Sequence, residues 1–137
     1  MNERKRRYLK KWIAIRADGR CEYFRVLEYL SLYEFHLEHI ISKKHGGSSL
    51  PENLAYACSW CNWKKGPNIA TVLYPEGELI RLFNPRAQNW FDHFEADSSG
   101  LLIGKSPIGQ ATIKLLALND QERIKERLEM IISGCYP

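Results

Sequence analysis

Glu38-His39, Asn53 and the stretch Cys58-Ser59-Trp60-Cys61-Asn62-Trp63-Lys64-Lys65-Gly66 gather the residue types that can do chemistry. A strand carrying carboxylate and imidazole side by side can present a metal ligand and a base at one edge of a site. A short helix folded back across that strand would bring Asn62, in its first turn, to the same place. Hydrolysis of a phosphodiester needs an activated water, a cation for the developing negative charge and in-line positioning, and this set can supply all of them. Lys65 follows Asn62 by one helical turn and shares its face. Of the cysteines Cys21, Cys58, Cys61 and Cys135, only Cys58 and Cys61 are closely spaced. In a cytosolic setting such a pair points to metal more than to a disulfide.

The elements that must position these residues can be read from pattern. Residues 2–17 place Tyr8, Leu9, Trp12, Ile13 and Ile15 at mixed helical intervals between basic residues, and Asp18-Gly19 is a plausible stop. Residues 21–33 fit neither period cleanly. Residues 35–41 alternate and read as a strand, and 42–53, with Gly46, Gly47 and Pro51, as a loop. Residues 54–58 form a short apolar run able to pair with that strand, and Ser59 can cap a helix from Trp60 to about Gly66-Pro67. Beyond Pro67, 79–83 read as a strand, and 90–96 with 101–105 as a hairpin around Asp97-Ser98-Ser99-Gly100. Ser106-Pro107 opens a helix running to about Leu118. A last helix, from Asp120 to Gly134, should bury Ile124, Leu128, Ile131 and Ile132. The expected fold is α+β: a strand-loop-strand-helix core with an N-terminal helix in residues 1–70, and a hairpin with two helices in 71–137, packed on the core as one unit.

The chain of 137 residues is 45% hydrophobic and 26% charged, enough apolar material for a real core. No apolar run approaches a membrane span, and the N-terminus is charged where a signal peptide would soon turn apolar, so a soluble cytoplasmic protein is expected. The net charge of +4 is unevenly spread, and Arg4, Lys5, Arg6, Arg7, Lys10 and Lys11 crowd the N-terminal helix. Such a run can complement a polyanion or form a solvated helix face.

From Cys21 to Gly66 the chain resembles an HNH endonuclease with its ββα-metal core. The resemblance implies that Glu38 is the acidic metal ligand, His39 the general base, Asn53 the residue that pins the loop behind the base, and Asn62 the second metal ligand. It implies one divalent cation, for which the oxygen donors suit Mg²⁺ or Mn²⁺. The partner would be nucleic acid, DNA first. Lys65 would neutralise a non-bridging oxygen, and Arg4, Lys5, Arg6, Arg7 and Lys64 would grip the backbone. The pattern Leu82-Phe83-Asn84-Pro85-Arg86, Trp90, His93-Phe94 and Pro107 to Thr112 is similar to the C-terminal extension of a bacterial HNH subfamily. That subfamily carries paired CxxC motifs around a structural zinc, whereas here the first reads Cys21-Glu22-Tyr23-Phe24. Either zinc is lost and Phe24 packs in its place, or Cys21, Cys58 and Cys61 recruit a fourth ligand such as Cys135, a histidine or water.

Other features have plainer readings. His36 shares strand parity with Glu38 and is assigned to packing or solvent before ligation, and His45 is an ordinary loop histidine. Asp92-His93 copies the catalytic dipeptide without a downstream Asn or Cys pair and is read as structural. Trp60 and Trp63 are assigned to the core of the short helix. An HNH-fold module that binds nucleic acid without turnover is the alternative function.

Overall fold

A computed structural model describes residues 2–137. The chain divides into two compact units, Met1–Pro67 and Asn68–Pro137. Short antiparallel strand pairs and helices confirm the α+β class. Among the described residues no helix is long and apolar enough to cross a membrane.

The first unit begins with α1 (Glu3–Arg16), whose first turn is capped by the Asn2 side chain accepting from Lys5 N–H at 2.9 Å. Asp18 and Gly19 take positive φ values of 54° and 67° and end it. Ile13 is the residue α1 buries fully; Tyr8, Trp12 and Ile15, placed by sequence on the apolar stripe, are exposed. The Arg16 guanidinium donates to the carbonyls of Pro51 and Leu54 and so ties the helix to the strand that follows Asn53.

Residues 21–33 gave no clean period because they are mostly turn. Arg25 sits at φ 78°, Arg20 and Leu27 form an isolated antiparallel bridge, and a single 3₁₀ turn spans Glu28–Leu30. Two carboxylates fasten this segment: Glu22 accepts from Tyr56 N–H, and Glu28 from Phe35 N–H and the Tyr56 hydroxyl.

Strand β1 (His36–His39) pairs antiparallel with β2 (Leu54–Ala57), setting Glu38 opposite Ala55 and His39 opposite Leu54. The β2 residues are buried throughout, as an apolar run without polar alternation should be. In the intervening loop Gly47 is needed for close approach, since a Cβ there would lie 1.7 Å from the Ile41 carbonyl oxygen. Helix α2 (Ser59–Lys65) starts one residue earlier than expected, because Cys58 rather than Ser59 is the cap: its Sγ accepts from Cys61 N–H at 3.4 Å.

The second unit pairs β3 (Ala70–Thr71) with β4 (Ile80–Arg81), and β5 (Phe94–Ala96) with β6 (Leu102–Gly104). The first residues of the expected hairpin arm instead form a one-turn helix, α3 (Trp90–His93), because the Asn89 side chain caps it by accepting from Phe91 N–H. Helix α4 (Pro107–Leu115) carries the Ser106 cap and Pro107 at its start, and Ala117 at φ 49° closes the turn after it, short of Leu118.

Helix α5 (Gln121–Ile132) is capped by Asp120, but its inward face is rotated by one residue from the apolar stripe. Arg123, Arg127 and Met130 are buried, Ile124, Leu128 and Ile131 are half-buried, and Ile132 is exposed. Arg127 decides this: its fully buried guanidinium donates to the carbonyls of Gly100 and Leu118 and to Asn119 Oδ1. The two carbonyls lie outside any helix or strand, where no ladder supplies a donor.

Candidate active site

Glu38 lies on β1 with its carboxylate almost wholly inside the first unit. Oε1 sits 2.6 Å from Lys65 Nζ and Oε2 accepts from the Tyr23 hydroxyl at 2.7 Å. Burial raises this carboxyl above its ordinary range, and Lys65 and Tyr23 oppose the shift without cancelling it. A carboxylate has about four lone-pair sites, and the contacts to Lys65 and Tyr23 do not fill all of them.

Lys65 is placed differently from expectation. The sequence puts it on the face of Asn62 as a cation for a phosphate oxygen, yet the side chain turns inward and is 1% exposed. Besides the Glu38 carboxylate, its ammonium donates to the carbonyls of His39 at 3.1 Å and Ile40 at 2.9 Å. An ammonium has three donors, so this one is consumed in holding the end of β1 and cannot reach a substrate.

His39 follows on the same strand, half-exposed, with Nε2 3.0 Å from Ser49 Oγ. Partial burial and the positive charges of Lys43, Lys65 and Arg6 lower its imidazole below the ordinary value. Asn53 closes the loop behind it: its side chain accepts from Ile41 N–H at 3.0 Å and donates to the carbonyls of Ile41 at 2.9 Å and Ser48 at 2.7 Å. Ser49 is thereby held next to the imidazole.

Glu38, His39 and Asn62 line one open cleft of about 530 Å³, together with Lys43, Lys44 and Trp63. Arg4, Lys5, Arg6 and Arg7 are all exposed on α1, and Lys64 Nζ stands 5.3 Å from the Trp60 ring centroid. His36 is exposed with Nε2 3.0 Å from Ser59 Oγ, and His93 Nδ1 is 2.6 Å from Ser106 Oγ in the second unit, a structural contact.

Three of the cysteines come together in the first unit. The ligand atoms of Cys21, Cys58 and Cys61 are within 4.8 Å of one another, and all three residues are buried. The N–H of Phe24 donates to Cys21 Sγ at 3.4 Å, the counterpart of the Cys61-to-Cys58 bond in the other turn. Burial disfavours the Cys21 thiolate, but hydrogen bonds from Cys58, Cys61 and Phe24 outweigh it and hold this thiol well below the ordinary value, while burial and its two neighbours push Cys61 well above it.

Residues 19–68 match the HNH endonuclease family. Neither the curated proteins nor the solved structures gave a match. The HNH segment contains every residue of the cleft and of the thiol cluster, and it ends before the C-terminal pattern read as a subfamily extension.

Within the HNH segment Glu38 and Asn62 both line the cleft, and a carboxylate with a side-chain amide oxygen is the donor chemistry that suits a hard divalent cation. The thiol cluster can offer sulfur to a metal but does not complete a tetra-Cys zinc site. Phe24, at the sequence position where a second cysteine would pair with Cys21, is fully buried and offers no side-chain donor. Phe24→Cys should therefore convert the cluster into a tighter zinc site. Metal content after chelator dialysis should show zinc stripped from the wild type and retained by the variant, whose melting temperature should rise only when zinc is present. Without zinc the variant should melt lower, since a fully buried side chain contributes roughly 1.5–3 kcal/mol. Stoichiometric, chelator-resistant zinc in the wild type would reveal a fourth donor and overturn this.

Sequence reasoning missed Tyr23, Ser49, Lys43 and Lys44 as neighbours of the site, and it assigned Trp63 to the core. Ser49, Lys43 and Lys44 were hidden in a segment recognisable only as loop. The available signal was Asn53: a side chain that bonds several loop carbonyls and N–H groups implies that the loop has one shape.

Proposed function

We propose that the protein is a metal-dependent endonuclease that hydrolyses DNA phosphodiester bonds in the cleft of its HNH segment. The observation that carries this is the convergence of Glu38, His39 and Asn62 on one open cleft bordered by lysines. In the tautomer where His39 Nε2–H donates to Ser49 Oγ, Nδ1 keeps the lone pair that takes a proton from the attacking water. Asn53 fixes the loop and hence the Ser49 contact that orients the ring. Glu38 and Asn62 would hold the divalent cation. When bound, it supplies positive charge to the phosphate as negative charge develops. Lys65 positions Glu38 and the carbonyl end of β1 without touching substrate. Arg4, Lys5, Arg6, Arg7 and Lys64 provide sequence-independent attraction to the backbone.

Plasmid nicking tests this reading. Relaxed or linear product is expected with Mg²⁺ or Mn²⁺ and none in EDTA; robust cleavage in chelator would sink it. The pH profile carries a second expectation. A base must be neutral to accept a proton, and Lys43, Lys65 and Arg6 together with burial lower the His39 imidazole. The acid limb of the rate profile should therefore fall below the ordinary imidazole value of 6.5. An acid limb above that value would assign the proton transfer to another group.

One observation favours a second reading, a nucleic-acid-binding module without turnover: the Glu38 carboxylate is already paired with Lys65. Salt-dependent DNA binding with no nicking under any divalent cation would establish it.

A further inference from the structure

Trp63 follows Asn62 on α2, and its ring is part of the wall of the cleft that holds Glu38 and His39. Contrary to its assignment as core, it is 77% exposed. A large aromatic side chain left in water forgoes a substantial burial free energy, and at this exposure most of its surface can meet a flat partner. Lys64 Nζ stands 5.2 Å from the Trp63 ring centroid, within cation–π range, and Lys43 and Lys44 line the same cleft. The cleft thus offers an aromatic surface beside a cluster of positive charge. Its complement is a ligand that joins a flat π-system to an anion at short range.

A nucleotide within a strand has that chemistry, with the base for the ring and the phosphodiester for the lysines. In continuous duplex, however, both faces of an internal base are covered by its neighbours. Only an unstacked base, in a single strand, bulge, loop or frayed end, has a face to lay on Trp63. We propose that Trp63 is a base-stacking platform and that the cleft takes unpaired nucleotides in preference to continuous duplex. This names the substrate class of the site read above as a nuclease, and it rests on that reading for its biological meaning, though not for its test.

The test is binding by the full chain in EDTA, where no cleavage occurs, followed by fluorescence anisotropy. The probes are a labelled single strand, the matching duplex and the same duplex with a central unpaired bulge. Wild type should bind strand and bulge more tightly than duplex. Trp63→Ala should weaken strand and bulge by about tenfold, in the range found for one base–aromatic stack, and leave duplex unchanged. Trp63→Phe should restore most of the loss, and the melting temperature should not move, because the ring is exposed. Equal wild-type affinity for strand and duplex, or a Trp63→Ala loss shared by all probes, would overturn the proposal. So would failure to bind any probe. Selective strand binding without metal-dependent nicking would retire the nuclease reading and leave the stacking site standing; nicking without strand preference would do the reverse.

Discussion

His39→Ala is expected to lower turnover on DNA by about 10²–10⁴-fold, the usual contribution of a positioned general base, while leaving affinity measured in chelator nearly unchanged. The imidazole is half-exposed at the cleft and hydrogen-bonds Ser49 Oγ, so truncation removes a proton acceptor without opening the core. A rate loss with intact binding separates chemistry from attraction, which the structure distributes over exposed basic residues of α1 and the cleft lysines. Single-turnover cleavage alongside anisotropy would measure both. Normal cleavage by the variant would move the base elsewhere, with His36, exposed near the start of β1, the first alternative to replace.

Lys65→Met should destabilise the first unit by about 3–5 kcal/mol, the cost expected when one partner of a buried ion pair is removed. The Glu38 carboxylate would remain buried with the Tyr23 hydroxyl, and the carbonyls of His39 and Ile40 would lose a shared donor. The loss comes mainly from the abandoned charge, so the double variant Glu38→Leu/Lys65→Met should recover much of it, as replacement of buried ion pairs by apolar residues often does. Urea unfolding of the wild type, both single variants and the double variant would form the cycle. A Lys65→Met variant within about 1 kcal/mol of wild type would place the pair in the class of exposed salt bridges and contradict the burial seen here.

The sequence by itself determined the elements whose signals are local. Asn2 before a basic helical stretch, Ser106-Pro107 and Asp120 are capping chemistry, and each stands at the start of its helix because a side-chain oxygen needs only the next few N–H groups to do its work. The alternation over 35–41, of which His36–His39 form the strand, and the apolar run after Asn53 gave the strand pair, and Glu38, His39 and Asn62 line one cleft. The resemblance, rather than spacing, joined Cys21 to the Cys58 and Cys61 pair, and of its two alternatives for Phe24 the buried ring agrees with packing.

Only the tertiary structure decided which way the long amphipathic side chains point. Lys65 reads as a cation for a phosphate oxygen and is buried, as is Arg127, which no local pattern singles out, whereas Trp63 reads as core and lines the cleft. A Lys or Arg stem can cover apolar surface while its head seeks whichever acceptors lie near, and those of Lys65 come from β1 and the residue after it, far away in sequence. The same holds for α5, where periodicity gives the stripe to within one residue but the carbonyls of Gly100 and Leu118 set the final rotation by capturing Arg127. Partners brought together by folding are absent from any local window, and a buried charge is stable only where such partners wait.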